Sequence, residues 1–141
     1  MLLVPAGCGK ARTPTVPVSG QVLLDGKPVP AGFIRLIPEK GRPATGTLDA
    51  DGRFRLTTFD DGDGCIRGTH IVEVIARQPI SGTEVRWLAP KKYASASTSG
   101  LKVTIEKATK ALPIDLTSGG EEPQIEKLQT GGERDHAAPA R

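Results

Sequence analysis

Apolar and polar residues alternate along most of this chain, and the period is two. In VPVSGQVLLDG, Val16, Val18, Val22 and Leu24 share one face with Gly20 in the same register, the pattern of a half-buried strand. Asp25 to Pro28 then forms a turn, because glycine accepts positive φ and proline presets its own. AGFIRLIPE resumes the alternation, setting Ile34 and Leu36 against Phe33, Arg35 and Ile37, until Pro38 removes a ladder donor. In ATGTLDADGRFRLTT, Asp51-Gly52 lies between two alternating runs and predicts a hairpin, with Phe54 and Leu56 facing opposite to Arg53, Arg55 and Thr57. THIVEVIA sets His70, Val72, Val74 and Ala76 against Thr69, Ile71, Glu73 and Ile75. Both of its faces are apolar enough for a central strand. GLKVTIEK and LPIDL add inward sets Leu101, Val103, Ile105 and Leu112, Ile114, Leu116.

Seven such strands in about a hundred residues predict an all-β fold, a seven-stranded antiparallel Greek-key β-sandwich over residues 16–117. No window carries apolar residues at helical spacing for long enough to claim a core helix. Gln78 to Ser99 reads as one long irregular segment and holds the only Trp and the only Tyr. Residues 118–141, with paired glycines, mixed charges and few apolar positions, read as a disordered C-terminal tail.

Composition sharpens the picture in three places. The 141 residues suit one domain, and 17 glycines with 12 prolines favour short elements over long helices. The 19 basic and 16 acidic residues are interspersed and leave only +3, so no basic stripe invites a nucleic acid. No apolar run approaches the ~20 residues a spanning helix needs. The opening MLLVPAGCGK resembles the lipobox of bacterial lipoproteins, in which the cysteine, here Cys8, takes the lipid and becomes the mature first residue. Pro5 stands where that box prefers leucine. An export signal needs a basic start and ~7–15 apolar residues, whereas seven residues precede Cys8. On the lipoprotein reading, one option is a start codon called too late, with the real signal lying upstream of Met1. A cytosolic chain with an apolar beginning is the alternative. Residues 1–15 then form a lipobox-like segment and linker. If Cys8 carries lipid, Cys65 has no partner for a disulfide.

The stretch DDGDGCIRGTH, Asp60 to His70, concentrates the candidate chemistry. As a calcium loop it offers Asp61 and Asp63 at alternate positions, but Cys65 follows where a hard oxygen belongs and no glutamate closes the loop. DADG at Asp49 to Gly52 runs into Arg53 in the same way. As a thiol site, Cys65 and His70 would need contact across a loop–strand junction and a third group to orient the imidazole. A turn needs only the Asp and Gly residues that are present, and the composition favours it. No metal and no cofactor is expected.

SGQVLLDGKPVPAGFIRLIPE, TLDADGRFRLTT and GTHIVEVIA together resemble the carboxypeptidase regulatory-like domain, a transthyretin-like sandwich. The resemblance runs over about residues 18–116, and PKKYASASTSGLKVTIEK is similar to the version in small bacterial lipoproteins. It implies a transthyretin-like fold and an extracytoplasmic, lipid-anchored location, with no enzymatic activity of its own. That family favours tyrosine where His70 stands, so His70 is expected inward with its imidazole bonded to a backbone carbonyl. Transthyretin-like hydroxyisourate hydrolases end in Tyr-Arg-Gly-Ser, whereas this chain ends DHAAPAR with its other histidine, His136, in the tail. The expected function is a non-catalytic cell-envelope domain with a structural or protein-interaction role. Its expected partners are a membrane through the lipid and an envelope protein or polysaccharide, with docking on an edge strand as one route. The alternative is a small carbohydrate-binding module presenting Trp87 and Tyr93 from the Gln78–Ser99 loop.

Overall fold

The computed structural model describes residues 13–128. Its strands in chain order are β1 (Thr15–Val16), β2 (Val18–Leu24), β3 (Lys27–Pro28), β4 (Phe33–Pro38), β5 (Ala44–Thr47), β6 (Arg53–Arg55) and β7 (Cys65–Ile66). They continue with β8 (Gly68–Ile75), β9 (Arg77–Pro79), β10 (Glu84–Trp87), β11 (Lys102–Ile105), β12 (Thr109–Leu116) and β13 (Ile125–Lys127). A 3-10 turn at Lys91–Ala94 and one α turn at Ala96–Ser99 separate β10 from β11. The alternating runs of the sequence become β2, β4, β5, β6, β8, β11 and β12. The other strands are short additions.

Two sheets make an all-β sandwich. One has the order β11-β8-β4-β5; in the other, β2 lies between β12 on one side and β3 with β6 on the other. The alternation decides what goes inside. Ile34, Leu36, Val72 and Val74 from the first sheet and Val18, Val22, Phe54 and Ile114 from the second are all buried and belong to one core cluster. β8 is central, flanked by β11 and β4, as its two apolar faces require.

Four features depart from the sequence expectations. Asp51-Gly52 does make a tight turn, with Gly52 at φ +76 and the Asp49 carboxylate accepting from the N–H groups of Asp51 (2.8 Å) and Arg53 (2.9 Å). Those two bonds hold the Asp49 carboxyl below its ordinary pKa. The flanking strands nevertheless do not form a hairpin ladder. β5 pairs with β4 and β6 with β2, and the two arms are tied to each other by the Thr45–Thr57 bridge and by the Asp49 N–H donating to the Arg53 carbonyl at 3.0 Å. The turn is an arch between the sheets, which lets Leu48, Phe54 and Leu56 all reach the core.

The ladder is not wholly antiparallel either. β12 runs parallel to β2, from Thr109 beside Val18 to Leu116 beside Leu24, with an irregularity between Thr109 and Leu112. Side-chain alternation is the same in both directions, so the sequence pattern carries no information about this.

Gln78 to Ser99 is not irregular. β9 and β10 form a hairpin in which Trp87 lies opposite Arg77, and the two helical turns follow. The chain after Thr117 is not wholly a loose tail: β13 pairs with β10 antiparallel, Val85 opposite Glu126, and completes a small sheet of order β13-β10-β9. The ordered body therefore extends past residue 117. The expectations for Cys8, for His136 and for the last stretch of the tail lie outside the described residues.

Candidate functional site

The Asp60–His70 stretch resolves residue by residue into structure. The Asp63 carboxylate accepts three backbone N–H groups: Thr58 on Oδ1 at 2.7 Å, and Phe59 and Asp60 on Oδ2, each at 3.0 Å. Thr58, itself buried, closes the loop by donating its hydroxyl to the Gly64 carbonyl at 2.7 Å. Asp61 pairs with Arg55 at 3.2 Å on the surface. Among the described residues no three His, Cys, Asp or Glu side chains gather as a cation site. Of the carboxylates a calcium loop would need, Asp63 serves as the turn acceptor and Asp61 faces Arg55.

Gly64 then brings the chain against β1 so tightly that a methyl group there would overlap the Val16 carbonyl oxygen. This close approach seats β7 beside β1, Cys65 opposite Val16. Cys65 has no accessible surface, and burial, reinforced by the nearby Asp63 charge, pushes its thiol up to about 11. A thiol this reluctant to ionise is a packing group and not a nucleophile. His70 is fully buried as well. Its Nε2 lies 2.8 Å from the Ile66 carbonyl oxygen, and because a carbonyl only accepts, Nε2 carries the proton and donates. The imidazole thus anchors the start of β8 to β7. Its Nδ1 has no hydrogen-bond partner.

The structure brings Trp87 and Tyr93 into the body and does not present them on an exposed loop. Trp87 is 8 % exposed and Tyr93 3 %. The Tyr93 hydroxyl donates to the Thr117 carbonyl (3.2 Å) and accepts the Thr117 N–H (3.1 Å). It thereby fastens the chain leaving β12 to the 3-10 turn. Trp87 Nε1–H donates to Glu126 Oε1 at 2.8 Å, and Lys91 Nζ lies 3.4 Å from the same oxygen. The Trp87 hydrogen bond, helped by the Lys91 and Arg77 charges, holds the Glu126 carboxyl below its ordinary range. The Arg77 guanidinium and the Lys91 ammonium both approach the indole ring, at 5.5 Å and 5.4 Å from its centroid. A sugar platform needs an open aromatic face, and these rings do not offer one.

What Trp87 does border is a cleft of about 370 Å³. Its apolar wall comes from Leu24 at the end of β2 and from Trp87, Leu88, Ala89 and Pro90 as the chain leaves β10. The rest of the lining comes from Lys91, Lys92 and the segment from Ser118 to Gln124, a strap between β12 and β13. Both strap ends are tied. Ser118 donates its hydroxyl to Asp25 Oδ2 at 2.6 Å and its N–H to Oδ1 at 3.2 Å, and Trp87 N–H donates to the Gln124 carbonyl at 2.8 Å. The Ser118 hydroxyl is the first cause holding the Asp25 carboxyl below its ordinary range. Gly119 and Gly120 take φ +66 and +84, a turn conformation open to glycine, just after β12 ends.

The rim carries charges of both signs. Lys91 and Lys92 line it together with Glu121 and Glu122. Lys91 is engaged by Glu126, and Lys92 lies over the Tyr93 ring at 5.0 Å. The two glutamates are exposed and make no ion pair among the described residues. Sequence reasoning identified Trp87 but missed Leu24, Leu88, Glu126 and the strap. The one available signal was the short alternation in QIEK, obscured by its polar surroundings.

No family model matches the chain, and no curated protein or solved structure matches it either. Among the described residues no helix is long and apolar enough to cross a membrane.

Proposed function

We propose that this chain is a non-catalytic interaction module of the bacterial cell envelope, a carboxypeptidase regulatory-like, transthyretin-like sandwich tethered to the membrane by lipid on Cys8. Its role is to hold another envelope component close to the surface that the tether defines. The motif resemblance over residues 18–116 supports the family reading. One observation carries the non-catalytic part: Cys65 and His70, the pair with reactive chemistry in the candidate stretch, both have 0 % exposure, and the imidazole proton is committed to the Ile66 carbonyl. A nucleophile and its base must meet substrate; this pair meets the core.

The tether is tested by expressing the gene from its native locus and growing the cells with a clickable palmitate analogue. The expected result is a labelled protein in the membrane fraction, with label and membrane association both lost in Cys8→Ser. Wild-type protein that stays unlabelled in the soluble fraction overturns the proposal.

A further inference from the structure

We infer that the cleft beside Trp87 binds an extended cationic–apolar peptide segment of a partner protein, with an aliphatic side chain against Leu24, Leu88 and Pro90 and flanking Lys or Arg side chains facing Glu121 and Glu122. This deepens the interaction role proposed above and rests on it. At about 370 Å³ the cleft is the size of a small ligand site, and its floor is apolar, so an uncharged aliphatic group is what it desolvates well. The charges decide the rest. Lys91 is paired with Glu126, whereas Lys92, packed over the Tyr93 ring, keeps its charge; against it the carboxylates of Glu121 and Glu122 leave the rim with one negative charge in excess. A cationic neighbour to the buried aliphatic group complements them, and an anionic one meets repulsion.

Two features favour a chain over a compact molecule. Gln124, at the cleft wall, runs directly into β13, the outermost strand of its sheet. Among the described residues no strand pairs with the outer edge of β13, the arrangement used in strand addition. The other outer strand, β9, carries Pro79, which lacks a donor. In addition, three large apolar residues of this small sheet and its margins stay exposed: Ile80 at 40 %, Ile125 at 55 % and Leu128 at 41 %. A sugar is disfavoured because cations already lie against the indole ring.

Trp87 is the only tryptophan, so its emission reports on this cleft alone. The test titrates the full chain with the capped peptide Lys-Leu-Lys-Leu-Lys, with Glu-Leu-Glu-Leu-Glu, and with cellohexaose. Expected is a saturable emission change with the basic peptide only, suppressed by salt. Affinity should fall about fivefold in the double variant Glu121→Gln, Glu122→Gln, as two exposed charge contacts allow. Both substitutions sit on the exposed strap, so the unfolding midpoint should not move. Equal responses to both peptides, an unchanged affinity in the double variant, no response at all, or a response to cellohexaose instead would each overturn the inference. The assay does not depend on Cys8. A soluble, unlabelled chain that binds the peptide refutes the tether alone, and a labelled chain that does not bind refutes the cleft alone.

Discussion

Replacing Asp63 with alanine should cost this domain about 2–3 kcal/mol of stability, and the size of that loss separates a structural loop from a functional one. The carboxylate accepts the N–H groups of Thr58, Phe59 and Asp60 at 2.7, 3.0 and 3.0 Å. The Thr58 and Phe59 bonds are part-buried, so removing the acceptor strands two donors that water reaches poorly, at about 1 kcal/mol each. The Asp60 donor is exposed, and water replaces much of what it loses, leaving about 0.5 kcal/mol. Asp63→Asn keeps one acceptor oxygen and turns the other site into a donor that faces donors, so about half the loss or somewhat more should remain.

Urea unfolding followed by Trp87 fluorescence gives the numbers directly, and a loss of this size moves the midpoint by about 1 M. Each measurement is repeated with calcium and with chelator. On the structural account calcium changes nothing in wild type or in either variant, because the Asp63 carboxylate is already taken up by three backbone N–H groups and Asp61 by Arg55. An Asp63→Ala protein as stable as wild type would refute the hydrogen-bond account. So would wild-type protein that calcium stabilises through Asp63.

Two further outcomes probe the same stretch. Gly64→Ala should cost more than about 3 kcal/mol, because φ is +92 and the new methyl overlaps the Val16 carbonyl and forces β1 off β7. Gly68→Ala, at φ +129 with nothing within 4 Å, should cost only the backbone strain of about 1–2 kcal/mol. Equal losses in urea unfolding would refute the close-approach argument. For Cys65 the folded thiol stands at about 11 against an ordinary 9.0. The unfolded chain therefore ionises first as pH rises, and stability present below pH 9 is lost between 9 and 11, by about 2–3 kcal/mol. In a Cys8→Ser background, subtracting the pH profile of Cys65→Ala should isolate that slope, and a thiol reagent should react with Cys65 only after unfolding. Rapid reaction in the native state would refute the packing role.

The body of the sandwich was legible because each strand has one face that must be dry. Val72 and Val74 could not both be buried unless Glu73 and Ile75 faced the other way, and a one-residue slip would have exposed the whole set. Pairing partners were less legible, since alternation states which face is inside and not which strand lies alongside. Asp51-Gly52 shows the difference. The residues ask for a tight turn and obtain one, with Asp49 supplying the acceptor for two N–H groups. Whether the arms then pair with each other depends on where β2 and β4 offer unfilled edges, which is a property of the assembled sheets. The parallel run of β12 along β2 is hidden for the same reason.

The cleft was illegible for a different physical reason: its parts are individually unremarkable and meet only across long separations. Ser118 finds Asp25 across 93 residues and Trp87 finds Glu126 across 39. Locally the strap reads as a polar tail, and its glycines suggest freedom where they in fact take a turn conformation. Trp87 was visible as a rare residue, yet rarity says nothing of orientation, and a buried indole whose N–H is held by Glu126 beneath two cations is a wall and not a platform. The same separation of chemistry from visibility runs through the molecule. The residues that advertise reactivity in the sequence, Cys65, His70 and Asp63, are committed to holding β7, β8 and the loop before them. Glu121 and Glu122, which make no ion pair among the described residues, stand in a segment with no motif at all. The distinctive groups of the Asp60–His70 stretch are taken up by the fold, Asp63 and the His70 Nε2–H in hydrogen bonds and Cys65 in packing, so a motif there marks architecture before it marks chemistry.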